Sequence, residues 1–134
     1  MAIRRGSSTP SAIYRGATAV QKVMRGTVEV WAATIYPQSG TWGPQSLPSS
    51  RATYASHTIA ETGSYTITHA VTRTAGFGSV RGHIAGPWGS TDGPSTTPTS
   101  TASTTQSLTA GQVVNMDATG GNNTGSGSWS IVKN

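Results

Sequence analysis

The chain has 134 residues, enough for one domain with a short appendage, yet only 19 of them are Leu, Ile, Val or Phe. That share lies below the roughly 20% at which disorder is suspected, but a net charge of +5 with 10% charged residues does not fit a disordered chain. Cysteine is absent, which excludes disulfide staples, zinc–thiolate sites and thiol nucleophiles, and no run of about 18 apolar residues crosses a membrane as a helix.

The first six residues, Met-Ala-Ile-Arg-Arg-Gly, are basic but have no apolar stretch behind them, so export through a signal peptide is not expected. A ten-residue period follows: Ile3-Arg4-Arg5-Gly6, Ile13-Tyr14-Arg15-Gly16 and Val23-Met24-Arg25-Gly26. A β-branched residue, any residue, Arg and Gly recur in register. Thr18 and Val20 of the second unit match Val28 and Val30 of the third. Glycine after arginine supplies a turn position closed to β-branched residues, and Val28, Val30 and Trp31 belong to an alternating, half-buried strand. The pattern predicts strand–turn–strand units over residues 1–32, too short to bury a face alone and therefore stacked on neighbours. Ile3, Arg5, Gly6, Ile13, Arg15, Gly16, Val23, Arg25, Gly26, Val28, Val30 and Trp31 are the candidate assembly residues. Five cations stand against Glu29 in this segment, but the arginines beside glycine recur ten residues apart rather than in one cluster, so a nucleic-acid partner is not expected.

Residues 33–50, with three prolines and no alternation, read as a Pro/Gly-rich linker. From Arg51 to the end the chain reads as an all-β body. Strands are expected at 52–60, 64–73, 77–85 and 112–118, with an edge strand near 99–108 and a last strand at 128–133. The clearest is 64–73, with Tyr65, Ile67, His69 and Val71 on one face and Thr66, Thr68, Ala70 and Thr72 on the other. Residues 120–127 read as an Asn/Gly-rich loop. Short strands, frequent turns and no helical period predict an all-β protein: a short β-hairpin repeat segment followed by a jelly-roll-like β-sandwich. So little aliphatic material further predicts burial against copies of the chain.

Chemistry is sparse. The four carboxylates Glu29, Glu61, Asp92 and Asp117 show no paired spacing, with Glu61 and Asp92 in turns. His57, His69 and His83 fall on three strands, but none has a second ligand at motif spacing, so neither a metal nor a cofactor is expected. Trp42, Trp88 and the loop at Asn122 are candidates for a surface that binds polysaccharide.

The run 13–31 resembles the opening segment of actinobacteriophage minor tail proteins, where aliphatic-x-x-Gly-small-Thr-x-Val units close on a Trp. The segments Gly-Ser-Tyr-Thr-Ile-Thr-His at 63–69, Ser-Leu-Thr-Ala-Gly-Gln-Val-Val-Asn-Met at 107–116 and Gly-Ser-Trp-Ser-Ile-Val at 127–132 look like the C1q/TNF-type jelly roll. The first resemblance implies a non-enzymatic virion protein, in the tail rather than on the capsid surface. The second implies a trimer whose outer face binds ligands. The expected partners are further copies of the chain, other virion proteins and host cell-surface polysaccharide. A capsid decoration protein of the same architecture and a stand-alone carbohydrate-binding module are the competing expectations.

Overall fold

A computed structural model describes Tyr36–Asn134 in full and, of the residues before them, the backbone of four short strands. Those four are β1 (Ile13–Arg15), β2 (Thr18–Val20), β3 (Lys22–Arg25) and β4 (Val28–Ala32). β1 pairs antiparallel with β2 and β3 with β4, so the second and third repeat units each form a hairpin. The pairs that close them, Arg15 with Thr18 and Arg25 with Val28, bracket the Arg-Gly steps. The first unit, with Ile3, Arg5 and Gly6, and Gly16 and Gly26, expected at turns, lie outside the described residues.

Tyr36–Asn134 is a separate unit of eight strands. They are β5 (Gln38–Leu47), β6 (Ala52–Thr58), β7 (Gly63–Ala75), β8 (Arg81–Gly86), β9 (Gly89–Asp92), β10 (Thr99–Leu108), β11 (Val113–Thr119) and β12 (Asn123–Lys133). One antiparallel sheet has the order β10-β7-β12-β5 and the other β6-β11-β8-β9. The first strand of the unit pairs with the last, β6 with β11, β7 with β10 and β8 with β9. This unit is thus a doubled ribbon rolled into two sheets, which is the jelly-roll arrangement.

The stretch expected to be a linker is instead largely β5. Its backbone pairs with β12 from Gln38 to Leu47, and Trp42 and Leu47 are buried. Pro44 is tolerated because β5 is an edge strand and the register shifts opposite it, between Gly125 and Gly127. Likewise β12 begins at Asn123, inside the segment expected to be a loop.

The interior consists of two packed groups. Ile59, Tyr65, Ile67, Ile84, Leu108, Val114, Met116 and Ile131 form one, flanked by Tyr36, Trp88 and Trp129. Trp42, Leu47, Val71, Val80 and Ala118 form the other, with Tyr54 beside them. Large rings replace missing aliphatics: Trp42 stacks on Tyr54 with centroids 4.2 Å apart, joining β5 to β6 across the sandwich. The body therefore fills its interior from its own chain.

The outer face of the first sheet is different. Thr66, Thr68, Ala70 and Thr72 of β7 lie beside Thr99, Thr101, Ser103 and Thr105 of β10, with Ser126, Ser128 and Ser130 of β12 on the other side. Hydroxyls bond across strands at Thr66–Thr105 (3.1 Å), Thr68–Ser103 (3.3 Å) and Thr72–Thr99 (3.0 Å). None of these positions carries a charge.

Candidate functional site

The second sheet gathers the polar chemistry. Its registers set Thr53 opposite Asp117, Asp117 opposite His83 and His83 opposite Asp92, one row across all four strands. The next row along holds Thr119 opposite Arg81. Alternation puts both rows on the outer face. Asp92, expected in a turn, is the last residue of β9.

Within this cluster, Thr53 Oγ1–H donates to Asp117 Oδ1 at 2.7 Å. His83 Nδ1–H donates to Asp92 Oδ1 at 2.8 Å, and Arg51 Nη2–H donates to the same oxygen at 2.9 Å. Two donors on one acceptor bring Arg51 Nη2 within 2.9 Å of His83 Nδ1. Thr119 Oγ1 lies 3.3 Å from Nε2, the second ring nitrogen of His83. The hydrogen bond from His83, with the charges of Arg51 and Arg81 added to it, holds the Asp92 carboxyl below its ordinary pKa despite partial burial. Arg81 is placed differently. Its Nη1 is 3.9 Å from Asp92 Oδ2, an ion pair too long for a hydrogen bond, and its Nε is enclosed without an acceptor.

Part of this cluster lines an open groove of about 700 Å³, with Arg51, Arg81, His83, Asp92, Thr119 and Asn123 in its wall and Phe77 at its rim. Phe77 is 97% exposed. It stands between Gly76 and Gly78, whose positive φ values of 95° and 99° form the β7–β8 turn. A second depression of about 430 Å³, on the outer face of the first sheet, is lined by Thr41, Pro44, Ala70, Thr72, Ser126 and Ser128.

The order Asp92–His83–Thr119 matches carboxylate, imidazole and hydroxyl in an acyl-transfer site. Beside Thr119, however, the backbone donors of Gly120 and Asn122 are engaged. Their N–H groups already donate to the carbonyls of Pro48 and Leu47 at 3.0 and 2.8 Å.

The three histidines do not meet. His69 is enclosed between the sheets: its Nε2 accepts from Trp42 Nε1–H at 3.0 Å and its Nδ1–H donates to the His83 carbonyl at 3.1 Å. Burial pushes its pKa down. His57 lies near Tyr36, with its Nε2 3.4 Å from the tyrosine hydroxyl. No group of three or more His, Asp or Glu able to hold a metal occurs among the described residues.

The expected polysaccharide surface does not form. Trp42 is 8% exposed and belongs to the interior, because β5 turns it toward Tyr54. Trp88 folds back over Gly86 in the β8–β9 turn and packs on the larger core group. Asn122 alone is exposed, in the left-handed region at φ 70° in the β11–β12 turn. Of the candidate assembly residues, Ile13, Arg15, Val23, Arg25, Val28, Val30 and Trp31 lie on the hairpin strands.

The residues that do converge, Arg51, Phe77, Arg81, His83 and Asp92, are only partly visible in the sequence. Alternation points Arg81 and His83 outward together, but nothing local pairs them with Arg51 or Asp92. No protein-family model matches the chain, and no curated protein matches it.

Proposed function

We propose that the chain is a non-catalytic structural protein of a phage virion, a minor tail or tail-tip component. In this reading residues 1–32 anchor it to other virion proteins and the jelly roll is displayed on the particle as a trimer. The observation that supports this best is the joining of two ten-residue-spaced hairpins to an eight-strand sandwich. Such hairpins cannot bury a face alone and need partners. Two features favour contact between copies: the flat hydroxyl face without charge, and β10, a ten-residue edge strand with neither charge nor proline to block pairing.

Incorporation into particles tests the anchor. Gly16→Val with Gly26→Val should abolish incorporation while Tyr36–Asn134 stays folded by circular dichroism. Normal incorporation of the double variant would overturn the anchor role. A carbohydrate-binding module is the second reading, favoured by the exposed ring of Phe77 beside a polar groove. Such a module would keep its affinity after loss of residues 1–32 and would be absent from particles.

A further inference from the structure

We infer that the groove between Phe77 and Arg81 binds an anionic glycan, with a sugar ring stacked on Phe77 and the sugar's carboxylate or phosphate held by Arg81. The inference deepens the display reading and rests on it for where the ligand is met.

Three observations carry it. The first is the state of Arg81. Asp92 Oδ1 is already shared by Arg51 and His83, while Arg81 stands 3.9 Å from the other oxygen with its Nε enclosed and unsatisfied. The enclosed Nε is out of a ligand's reach; what the groove offers is the guanidinium end of a side chain that is 41% exposed and held, among the described residues, only by that long ion pair. A planar, two-oxygen anion suits a guanidinium fork better than a neutral hydroxyl does. The second is charge: Arg51 and Arg81 face the groove against the single carboxylate of Asp92, leaving one cation in excess. One spare cation suits a single anionic group on a sugar, and is too little for a nucleic-acid backbone, which needs a row of them. The third is Phe77, the one phenylalanine of the chain, 97% exposed on a Gly-Phe-Gly turn. Among the described residues nothing covers the ring. An exposed aromatic face at the rim of a polar groove offers a sugar apolar contact at small entropic cost.

The test is titration of the purified full chain, followed by calorimetry and by amide chemical shifts. The probes are tri-galacturonate, glucose 6-phosphate, neutral maltotriose and inorganic phosphate. At least one anionic sugar should bind and shift the amides around Phe77 and Arg81. Maltotriose, which lacks the anion, and phosphate, which lacks the ring, should each bind about tenfold or more weakly. Binding of the uronate alone identifies a carboxylate ligand, and binding of the phosphosugar alone a phosphate ligand. Arg81→Gln and Phe77→Ala should each weaken binding about tenfold or more, while Ser128→Ala on the opposite sheet leaves it unchanged. Phe77 touches too little for its loss to unfold the protein, so that variant keeps the test decisive. Absence of binding by both anionic sugars, or equal affinity in Arg81→Gln and Phe77→Ala, overturns the inference. Failure here with normal particle incorporation would remove the glycan site alone. Binding by a chain that never enters particles would remove the display reading and leave the site.

Discussion

His69 is enclosed between the two sheets with both ring nitrogens engaged, Nε2 by Trp42 and Nδ1 by the His83 carbonyl. This pairing requires the neutral ring with its proton on Nδ1. Replacing it by leucine keeps the volume roughly constant but strands a buried indole N–H and a carbonyl, so His69→Leu should cost about 1–3 kcal/mol in urea denaturation. The ring also sets a pH dependence. Its native pKa lies below the ordinary 6.5, so the unfolded chain takes up a proton before the folded one does. The contribution is complete above pH 6.5 and is lost as pH falls through the lowered native value. His57, also lowered by burial, adds the same sign. Stability measured between about pH 7 and about pH 5 should therefore fall, and fall less in His69→Leu, where only His57 remains. An unchanged slope in that variant would contradict the assignment of the neutral ring. Asp92 acts lower on the scale: its depressed carboxyl stabilises above its ordinary 3.8 and ceases to do so as pH falls through the native value.

Strands differ in how plainly the chain announces them. β7 shows strict alternation because one face meets the core and the other water, and Tyr65, Ile67, His69 and Val71 are buried as that pattern requires. β10 is legible as a hydroxyl-faced edge for the same reason. β5 is hidden because Gly40, Gly43 and Pro44 stand where alternating apolar residues normally do. Those small residues make room for rings from β12 and for a bulge: a Cβ on Gly40 would lie 2.8 Å from the Trp129 ring. β12 is hidden by the reverse arrangement, since a Cβ on Gly127 would meet Trp42 at 2.3 Å. Glycine here marks a close approach of rings rather than a loop. Gly127→Ala should accordingly lower stability by about 1–3 kcal/mol and disturb the Trp42–Tyr54 stack, visible in near-ultraviolet circular dichroism. A neutral outcome would mean that Trp42 has another place to go. The Arg51–His83–Asp92 cluster stayed illegible because its members are 9 to 41 residues apart in the chain and meet only through the β8–β9 and β5–β6 turns.

At the scale of the molecule, the small count of aliphatic residues suggests that copies must complete the interior, yet Trp42, Tyr54, Tyr65 and Trp129 fill the sandwich from within. Among the described residues, the surfaces proposed for contact between copies are the hydroxyl face and the β10 edge, whose small side chains allow close approach. Charge placed there should be disruptive: Thr68→Lys with Ser103→Lys, neighbours at 3.3 Å, should lower the mass in solution without unfolding the sandwich. Sedimentation equilibrium of the intact chain over a wide concentration range tests the self-assembling display protein most directly. The account predicts a mass three times that of the 13.7 kDa chain, and a mass of 13.7 kDa at every concentration would contradict it.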